Sequence, residues 1–246
     1  MPSKIRLDQL VVQRGLAPSR ENAQALILAG AITLDGHPAP KPGQQVASDA
    51  VLARVGEAAR YASRAGVKLE AALDHFAVAV AGRIGLDVGA STGGFTDCLL
   101  QRGAVRVHAV DAGTNQMIWR LRTDPRVHLL ERTNARYLKL EDIGERAEVL
   151  TLDVSFISAT LLLPVLLPLL TPAADIVVLV KPQFEAGREA VAKGGIVRDE
   201  GARAAAVARV AACLGESGAE VLGCIPSPIL GATGNQEYLL HARRAG

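Results

Sequence analysis

The sequence is poor in aromatic residues, in cysteine and in long apolar runs, and each shortage excludes a class of protein. Aromatic residues make up only 3% of 246 residues, so a chain that is 49% hydrophobic must build its core from aliphatic side chains. Three cysteines, at no metal-ligand spacing, predict reduced thiols in a cytoplasmic protein and no metal site. The longest apolar run, residues 161–170, contains Pro164 and Pro168 and is too short to cross a bilayer, so we expect no membrane partner.

Charge is nearly balanced, with a net value of +2. Such a chain has no strong overall field, so a nucleic acid would have to bind through local basic patches. The length suffices for one sizeable core and a small second domain.

The first 60 residues predict a small α+β domain. Apolar residues at helical spacing predict one helix that begins near Leu7 and a second that Ser19 caps. The pair Asp35-Gly36 predicts a hairpin turn, and residues 51–55 predict a further strand.

The order of these motifs resembles an S4 RNA-binding domain. The resemblance runs through residues 6–10, 19–20, 29–30 and 34–36. It implies RNA contacts along the helical face, and the candidates are Arg6, Arg14 and Arg20. The alternative is a small interaction domain whose arginines are merely solvated.

Residues 61–83 predict a connector that includes a helix, and residues 84–246 alternate apolar strands with helical stretches. This alternation predicts an α/β, Rossmann-like domain with helices on both faces of the sheet. The expected helices are 94–102, 114–122, 157–170 and 200–216, and the expected strands are 84–88, 105–110, 127–130, 149–153, 175–180, 219–224 and 237–242. Ligands of such sheets bind beyond the carboxyl ends of the strands, which is where Asp87, Asp111, Asp153 and Lys181 fall.

A glycine-rich turn follows the first of these strands. Its glycines permit tight turning and close approach of a ligand, but their spacing is not that of a dinucleotide-binding turn. The turn resembles motif I of S-adenosylmethionine-dependent methyltransferases, and Asp111 stands where a carboxylate can accept hydrogen bonds from the cofactor ribose. The resemblance implies cofactor contacts at Asp87, Gly89, Ala90, Ser91, Gly93, Gly94, Phe95 and Asp111. Binding of a dinucleotide is the alternative.

The segment Asp153-Val154-Ser155-Phe156 lies where amino-methyltransferases carry a run of two prolines and an aromatic residue. The prolines are missing here, which argues against methylation of a base amine without excluding it. No cysteine has the Pro-Cys context that methylation at pyrimidine C5 requires, so that reaction is rejected.

Four residues together carry the most specific resemblance. Each of the two lysines, taken alone, would pass for a surface charge. Together, the set resembles the Lys-Asp-Lys-Glu tetrad of FtsJ-like ribose 2′-O-methyltransferases, and the tetrad residues are Lys68, Asp153, Lys181 and Glu237. With the S4-like domain in front, the whole chain resembles the TlyA (hemolysin A) family. This resemblance implies methylation of a ribose 2′-hydroxyl of ribosomal RNA, in cytidine, on ribosomal subunits, with Asn134 as a further cofactor contact.

Residues 113–139 are rich in arginine and include Trp119 and Tyr137. Basic and aromatic groups together suit RNA backbones and bases, and Arg120 and Arg136 are the candidates. The alternative is a charged helix face with core aromatics. The glycine-containing segment 193–199 is expected to be either a mobile loop that closes over RNA or a plain connector.

Two functions of other classes stay open. The historical family name suggests a hemolysin, although the sequence has no secretion signal and no apolar membrane segment. The second is an RNA-binding protein whose methyltransferase fold is inactive, against which the intact tetrad argues.

Overall fold

The computed structural model describes residues 4–54, 60–192 and 194–246. The chain divides into two compact units, Met1–Arg60 and Tyr61–Gly246. Val55, at the end of an expected strand, and Lys193, in the expected loop, lie outside the described residues.

The first unit combines two helices with short strands. In chain order its elements are β1 (Lys4–Arg6), α1 (Leu7–Gln13), α2 (Arg20–Leu28), β2 (Ile32–Leu34), β3 (His37–Pro38), β4 (Gln45–Ala47) and β5 (Leu52–Arg54). Strand β2 pairs with both β3 and β5, and β1 pairs with β4. Ser19 caps α2 by accepting a hydrogen bond of 3.2 Å from the backbone N–H of Asn22, as the sequence predicts. The helices bury Leu7, Leu10 and Ile27 against the strands.

The second unit alternates strands and helices. Its elements are α3 (Ala65–His75), β6 (Ile84–Val88), α4 (Gly94–Gln101), β7 (Arg106–Val110), α5 (Trp119–Arg122), β8 (Val127–Leu130), α6 (Leu140–Ile143), β9 (Ala147–Leu152), α7 (Leu163–Leu166), β10 (Leu170–Val180), α8 (Pro182–Glu185), α9 (Glu200–Glu216), β11 (Ala219–Pro226) and β12 (Tyr238–Arg244). Short 3₁₀ turns lie at Ala135–Tyr137, Ala159–Leu161, Leu167–Leu169 and Arg188–Ala190. The predicted α/β class is confirmed.

Within the described residues, seven strands of this unit form one sheet in the order β11-β12-β10-β9-β6-β7-β8. The five strands from β10 to β8 run parallel, whereas β12 is antiparallel to both β10 and β11. Along β10, Ile176 and Val178 pack into the cluster beneath α7 and α9, while Val177 and Leu179 pack into the cluster beneath α3 and α4. Helices therefore cover both faces, because successive residues of a strand point to opposite sides.

Two expected helices are wrong in extent. Residues 114–118 form a loop, and only Trp119–Arg122 of the predicted 114–122 is helical. Residues 157–170 break into two 3₁₀ turns with α7 between them. Pro164 and Pro168 explain the interruption, because proline lacks the N–H that a continuous helix needs.

Candidate active site

The glycine turn after β6 is shaped by contacts that leave no room for a side chain. Gly89 has a φ of +87°, and a Cβ at this position would overlap the carbonyl oxygen of Asp153. Gly93 has a φ of +96°, and a Cβ there would overlap the side chain of Leu121. Gly94 is the first residue of α4, and a Cβ there would overlap the side chain of Ser63. The predicted glycines are thus required by positive φ or by close approach.

Several residues expected to touch a cofactor lie beneath the turn instead. Asp87 is fully buried and accepts hydrogen bonds from the hydroxyls of Thr96, at 2.6 Å, and Thr151, at 3.0 Å. Ala90 and Phe95 are also buried and pack in the core. The side chains of Asp87, Ala90 and Phe95 therefore support the turn from below, and the cofactor contacts expected of these three residues stay a prediction. Burial raises the pKa of Asp87 to about 6, although the two threonine hydroxyls oppose that shift.

A cavity of about 520 Å³ opens above the turn at the carboxyl ends of the strands. Gly89, Ser91, Asp111 and Asn134 all line it, as the sequence predicts. The carboxylate of Asp111 accepts hydrogen bonds from the backbone N–H groups of Ser91, at 2.8 Å, and Gly113, at 2.6 Å. These bonds fix the position of a carboxylate that lines the cavity.

The chemistry of this cavity suits a nucleoside. Its polar groups are the carboxylate of Asp111 and the amide of Asn134. Gly89 also lines it, at a position where the backbone leaves no room for a side chain. Apolar side chains, among them Ile157 and Leu162, line the cavity as well. An adenosyl group needs this combination of a ribose acceptor and an apolar seat for a base.

Gln116 is a cavity residue that the sequence reasoning missed. Its side-chain oxygen accepts a hydrogen bond of 3.0 Å from the hydroxyl of Ser91, and it lines the cavity beside Asp111. Its loop is held by the N–H of Asn115, which donates to a Glu131 oxygen at 2.7 Å. No sequence signal marks the position, because the region reads as a helix and the loop forms only through these tertiary contacts.

The four tetrad residues come together as two ion pairs. Lys68, on α3, pairs with Glu237, and the side chains are only 10% and 4% exposed. Lys181 follows β10, and Asp153 follows β9. The Nζ atom of Lys181 lies 2.6 Å from Oδ1 of Asp153. The angle between these two atoms does not suit a hydrogen bond, so the pair is held by charge alone. The hydrogen bond from Lys181 goes to the hydroxyl of Ser155, at 3.0 Å. In the sequence each lysine looks like a surface charge, but the side chains of Lys68 and Lys181 are only 10% and 12% exposed.

The topology of the sheet explains why Glu237 joins this group. Residue Tyr238 begins β12 and pairs with Val180, the last residue of β10. Because β12 is antiparallel to β10, the residue before β12 meets the residue after β10 at one edge of the sheet. Gly231 supplies the space, since a Cβ there would overlap the Glu237 carboxylate.

A second cavity, of about 630 Å³, is lined by all four tetrad residues. It shares Ser91, Asp153, Ser155 and Phe156 with the first cavity. The two spaces therefore meet at the Asp153–Lys181 pair. A ligand in the first cavity and a second ligand in the other would face each other there.

Two aromatic rings that sequence reasoning did not single out stand at this junction. Phe156 is 92% exposed, lines both cavities and has a φ of +66°. Its ring lies 5.3 Å from that of Phe184, which follows Lys181 by three residues and lines the second cavity. Adjacent apolar rings that line a cavity can form part of a ligand-binding surface.

The arginines expected to bind RNA differ in their surroundings. In the first unit, Arg6 and Arg20 pair with buried Asp8 at 2.8 and 3.2 Å, and Arg14 donates to the Ser48 carbonyl. Hydrogen bonds from Arg6 first, then Gln24 and Arg20, outweigh burial and hold the pKa of Asp8 well below its usual range. These three arginines are therefore held by groups of the same domain.

In the second unit, Arg120 donates to buried Asp97 at 2.9 Å, while Arg136 is exposed. Trp119 and Tyr137 are 76% and 74% exposed, so the alternative of core aromatics in this region is wrong.

The expected loop at 193–199 is tied down where it is described. Asn235, itself buried, accepts from the N–H of Val197 at 2.9 Å and donates to the carbonyl of Gly195 at 2.7 Å. Gly195 lines the second cavity. Among the described residues, no cluster of His, Cys, Asp and Glu is arranged to hold a metal ion, and no helix is long and apolar enough to cross a membrane.

The fold and site together define an α/β methyltransferase with a second domain in front. The sequence profile of FtsJ-like methyltransferases matches residues 61–244, and that of the S4 domain matches residues 5–52. The chain belongs to the FtsJ-like methyltransferase family and carries an S4 domain. The resemblances stated from sequence are thereby confirmed.

Named relatives match over almost the full length. The chain is 49% identical over 244 residues to the 16S/23S rRNA (cytidine-2'-O)-methyltransferase TlyA of Mycobacterium tuberculosis, covering 99% of this chain and 91% of the relative. It is 41% identical to Hemolysin A of Brachyspira hyodysenteriae, covering 96% and 99%. The solved structure "Putative hemolysin from Streptococcus thermophilus" superposes with a TM-score of 0.77 at 43% identity, covering 100% and 90%.

Proposed function

We propose that this protein transfers a methyl group from S-adenosylmethionine to the 2′-hydroxyl of a cytidine ribose in ribosomal RNA. The observation that carries the proposal is the meeting of two cavities at the Asp153–Lys181 pair. The name of the M. tuberculosis relative, which specifies this reaction on 16S and 23S rRNA, supports the choice of substrate.

In this proposal the first cavity holds the cofactor. Asp111 accepts from the ribose hydroxyls, Asn134 and Gln116 contact the nucleoside, and the turn at Gly89 and Ser91 lies against the amino-acid portion. When bound, S-adenosylmethionine supplies an electrophilic methyl group on a sulfonium centre.

The second cavity receives the nucleotide. A ribose hydroxyl is a poor nucleophile, so the residues here must first position it in line with the methyl group and then provide for its proton. Lys181, held between Asp153 and Ser155, donates to the hydroxyl oxygen and orients it. As the oxygen–methyl bond forms and the methyl–sulfur bond breaks, Lys181 takes up the hydroxyl proton, having first released one of its own ammonium protons to water. Lys68, held by Glu237, binds the phosphate or sugar of the same nucleotide.

RNA binding beyond the reacting nucleotide falls to exposed aromatic and basic groups. Phe156 offers its ring to a base at the cavity, and stacking on an aromatic ring contributes about 1–3 kcal/mol per base. Trp119, Tyr137 and Arg136 provide further exposed contacts. The S4 domain, through Arg6, Arg14 and Arg20, adds contacts to a folded RNA target on a ribosomal subunit in the cytoplasm.

The test is transfer of radiolabelled methyl to 30S subunits, 50S subunits and naked ribosomal RNA, followed by mapping of ribose methylation. We expect label on a 2′-oxygen of cytidine. Label on a base would refute the assignment of the reaction. Absence of both label and cofactor binding would leave an RNA-binding protein with an inactive fold.

A further inference from the structure

Glu185 is a buried acid that the proposed reaction does not use. It ends α8 and is only 5% exposed. Its carboxylate accepts a hydrogen bond of 2.7 Å from the backbone N–H of Ala159 and a second one from the hydroxyl of Ser158. Its own carbonyl accepts from Arg209 of α9 at 2.7 Å. These bonds tie Glu185 to the segment that follows β9 and to α9.

The Glu185 contacts join the two segments that carry the catalytic pair. One segment, residues 153–158, follows β9, and the other, residues 181–185, follows β10. At one end the segments are joined by Asp153 and Lys181, and in the middle the ring of Phe156 lies against that of Phe184. Glu185 closes the other end by holding Ser158 and Ala159. Without it, the segment after β9 would lose its hydrogen bonds to its neighbour at the end that follows Phe156.

The backbone at Phe156 needs such support. Its φ of +66° is unfavourable for a residue with a Cβ, and strained residues persist only where surrounding contacts determine them. The exposed ring has little packing of its own, apart from Phe184. The bonds from Glu185 to Ser158 and Ala159, two and three residues further on, fix the backbone that leaves this strained position.

We propose that Glu185 is a positioning residue that holds Phe156 in its strained conformation at the junction of the two cavities, and thereby sets how well the target nucleotide binds. The inference rests on the proposed function, because it assigns the second cavity to the nucleotide. Its consequence is selective. Loss of Glu185 weakens RNA binding more than cofactor binding, because Phe156 and Ile157 line the first cavity too but Asp111 and Asn134 lie outside the segment that Glu185 holds.

The kinetic test compares Glu185→Ala, Glu185→Gln and the control Glu216→Ala, which removes an exposed acid near the end of α9. We expect Glu185→Ala to raise the KM for RNA roughly ten- to hundredfold, because a small displacement at a reacting site has effects of that size. Cofactor affinity, measured by calorimetry, should fall by less, within about fivefold or roughly 1 kcal/mol, because Asp111 and Asn134 keep their places in the first cavity. Glu185→Gln should behave like wild type, since its amide oxygen accepts from Ala159 and its NH₂ donates to the Ser158 hydroxyl, which can turn to Thr160.

Limited digestion with chymotrypsin gives a readout that is independent of activity. Cleavage after Phe156 should be faster in Glu185→Ala than in wild type or Glu185→Gln, while cleavage after exposed Trp119 and Tyr137 stays constant as an internal reference. If Glu185→Ala does not fold, Ser158→Ala removes one of the same bonds and is expected to shift both readouts in the same direction by less.

Two results would overturn the inference: an unchanged RNA KM with unchanged cleavage at Phe156, or parallel losses of cofactor affinity, melting temperature and RNA affinity. If wild-type protein methylates no RNA, the proposed function fails, but the cleavage comparison still decides whether Glu185 holds Phe156 in place.

Discussion

The Nζ atom of Lys181 lies 2.6 Å from Oδ1 of Asp153, and the two residues follow neighbouring parallel strands. Neither side chain is exposed by more than 16%. Removing one partner of such a pair leaves the other charge uncompensated in a poorly solvated place. Substitution of Lys181 should therefore alter chemistry more than cofactor binding, because only Asp153 of the pair lines the first cavity.

We expect Lys181→Ala to lower kcat for methyl transfer to RNA by about 10²–10⁴-fold, the usual contribution of a positioned proton-transfer group. The dissociation constant for S-adenosylmethionine should be unchanged, because Lys181 does not line the first cavity. Single-turnover methylation and calorimetry measure the two quantities. Lys139→Ala, which alters an exposed lysine, is the control. A Lys181→Ala enzyme that methylates normally would remove Lys181 from the mechanism.

Asp111→Ala should weaken cofactor binding by about 10- to 100-fold, because it deletes an acceptor for the ribose and leaves the N–H groups of Ser91 and Gly113 without their partner. Calorimetric titration with S-adenosylmethionine measures the change. Glu141→Ala, an exposed acid whose side chain is 73% accessible, should bind normally. Equal affinities in the two variants would mean that the cofactor lies elsewhere.

Gly89→Ala and Gly144→Ala form a matched pair, because both glycines have positive φ values, +87° and +77°. Gly144 has open space where a Cβ would lie, so its substitution should cost only the backbone strain of about 1–2 kcal/mol. At Gly89 the new methyl group would press on the Asp153 carbonyl. We expect this variant to lose cofactor binding and to melt at a lower temperature than Gly144→Ala. Similar behaviour in the two proteins would show that the turn adapts.

Asp175 should make stability depend on pH in the acid range. Burial alone would raise its pKa, but hydrogen bonds from His241, Arg83 and Arg243 outweigh burial and hold the pKa well below the usual range. Because the folded-state pKa is lowered, this stabilisation is present above the unfolded value near 3.8 and is lost as pH falls below it.

In Asp175→Asn we expect the free energy of unfolding at neutral pH to fall by about 3 kcal/mol, and the acid-side decline below about pH 4 to become shallower. Thermal melts from pH 7 to pH 2.5 measure both effects. Glu141→Gln should follow the wild-type curve. An Asp175→Asn curve parallel to wild type would refute the assignment of this decline to Asp175.

Most of the fold could be predicted from the sequence, for identifiable reasons, and the sequence also supplied the four residues of the proposed tetrad. Apolar residues located β6, which is largely buried, and β8, a partly buried edge strand. Asp199 and Ser217 bound the seventeen-residue α9. The tetrad could be named only as a set, through a family resemblance. Nothing local distinguishes Lys68 from a solvated helix lysine.

The remaining features depend on tertiary contacts that no local pattern encodes. The loop at 114–118 is held by a hydrogen bond from the N–H of Asn115 to the carboxylate of Glu131. This loop places Gln116 at the first cavity. Asp87 was expected at a strand end facing the ligand, yet two threonines from other elements draw it into the core. Phe156 was missed as a site residue because its exposure follows from an unusual backbone angle.

Lys68 and Glu237 are separated by 169 positions in the sequence, and the acid stands just before the final strand of the described chain. During synthesis on a ribosome, Lys68 emerges long before its partner. A nascent chain therefore has no complete catalytic group until β12 has been made and has paired with β10. For a protein proposed to act on ribosomal RNA, this order of assembly keeps an unfinished copy inactive towards the ribosome that is making it.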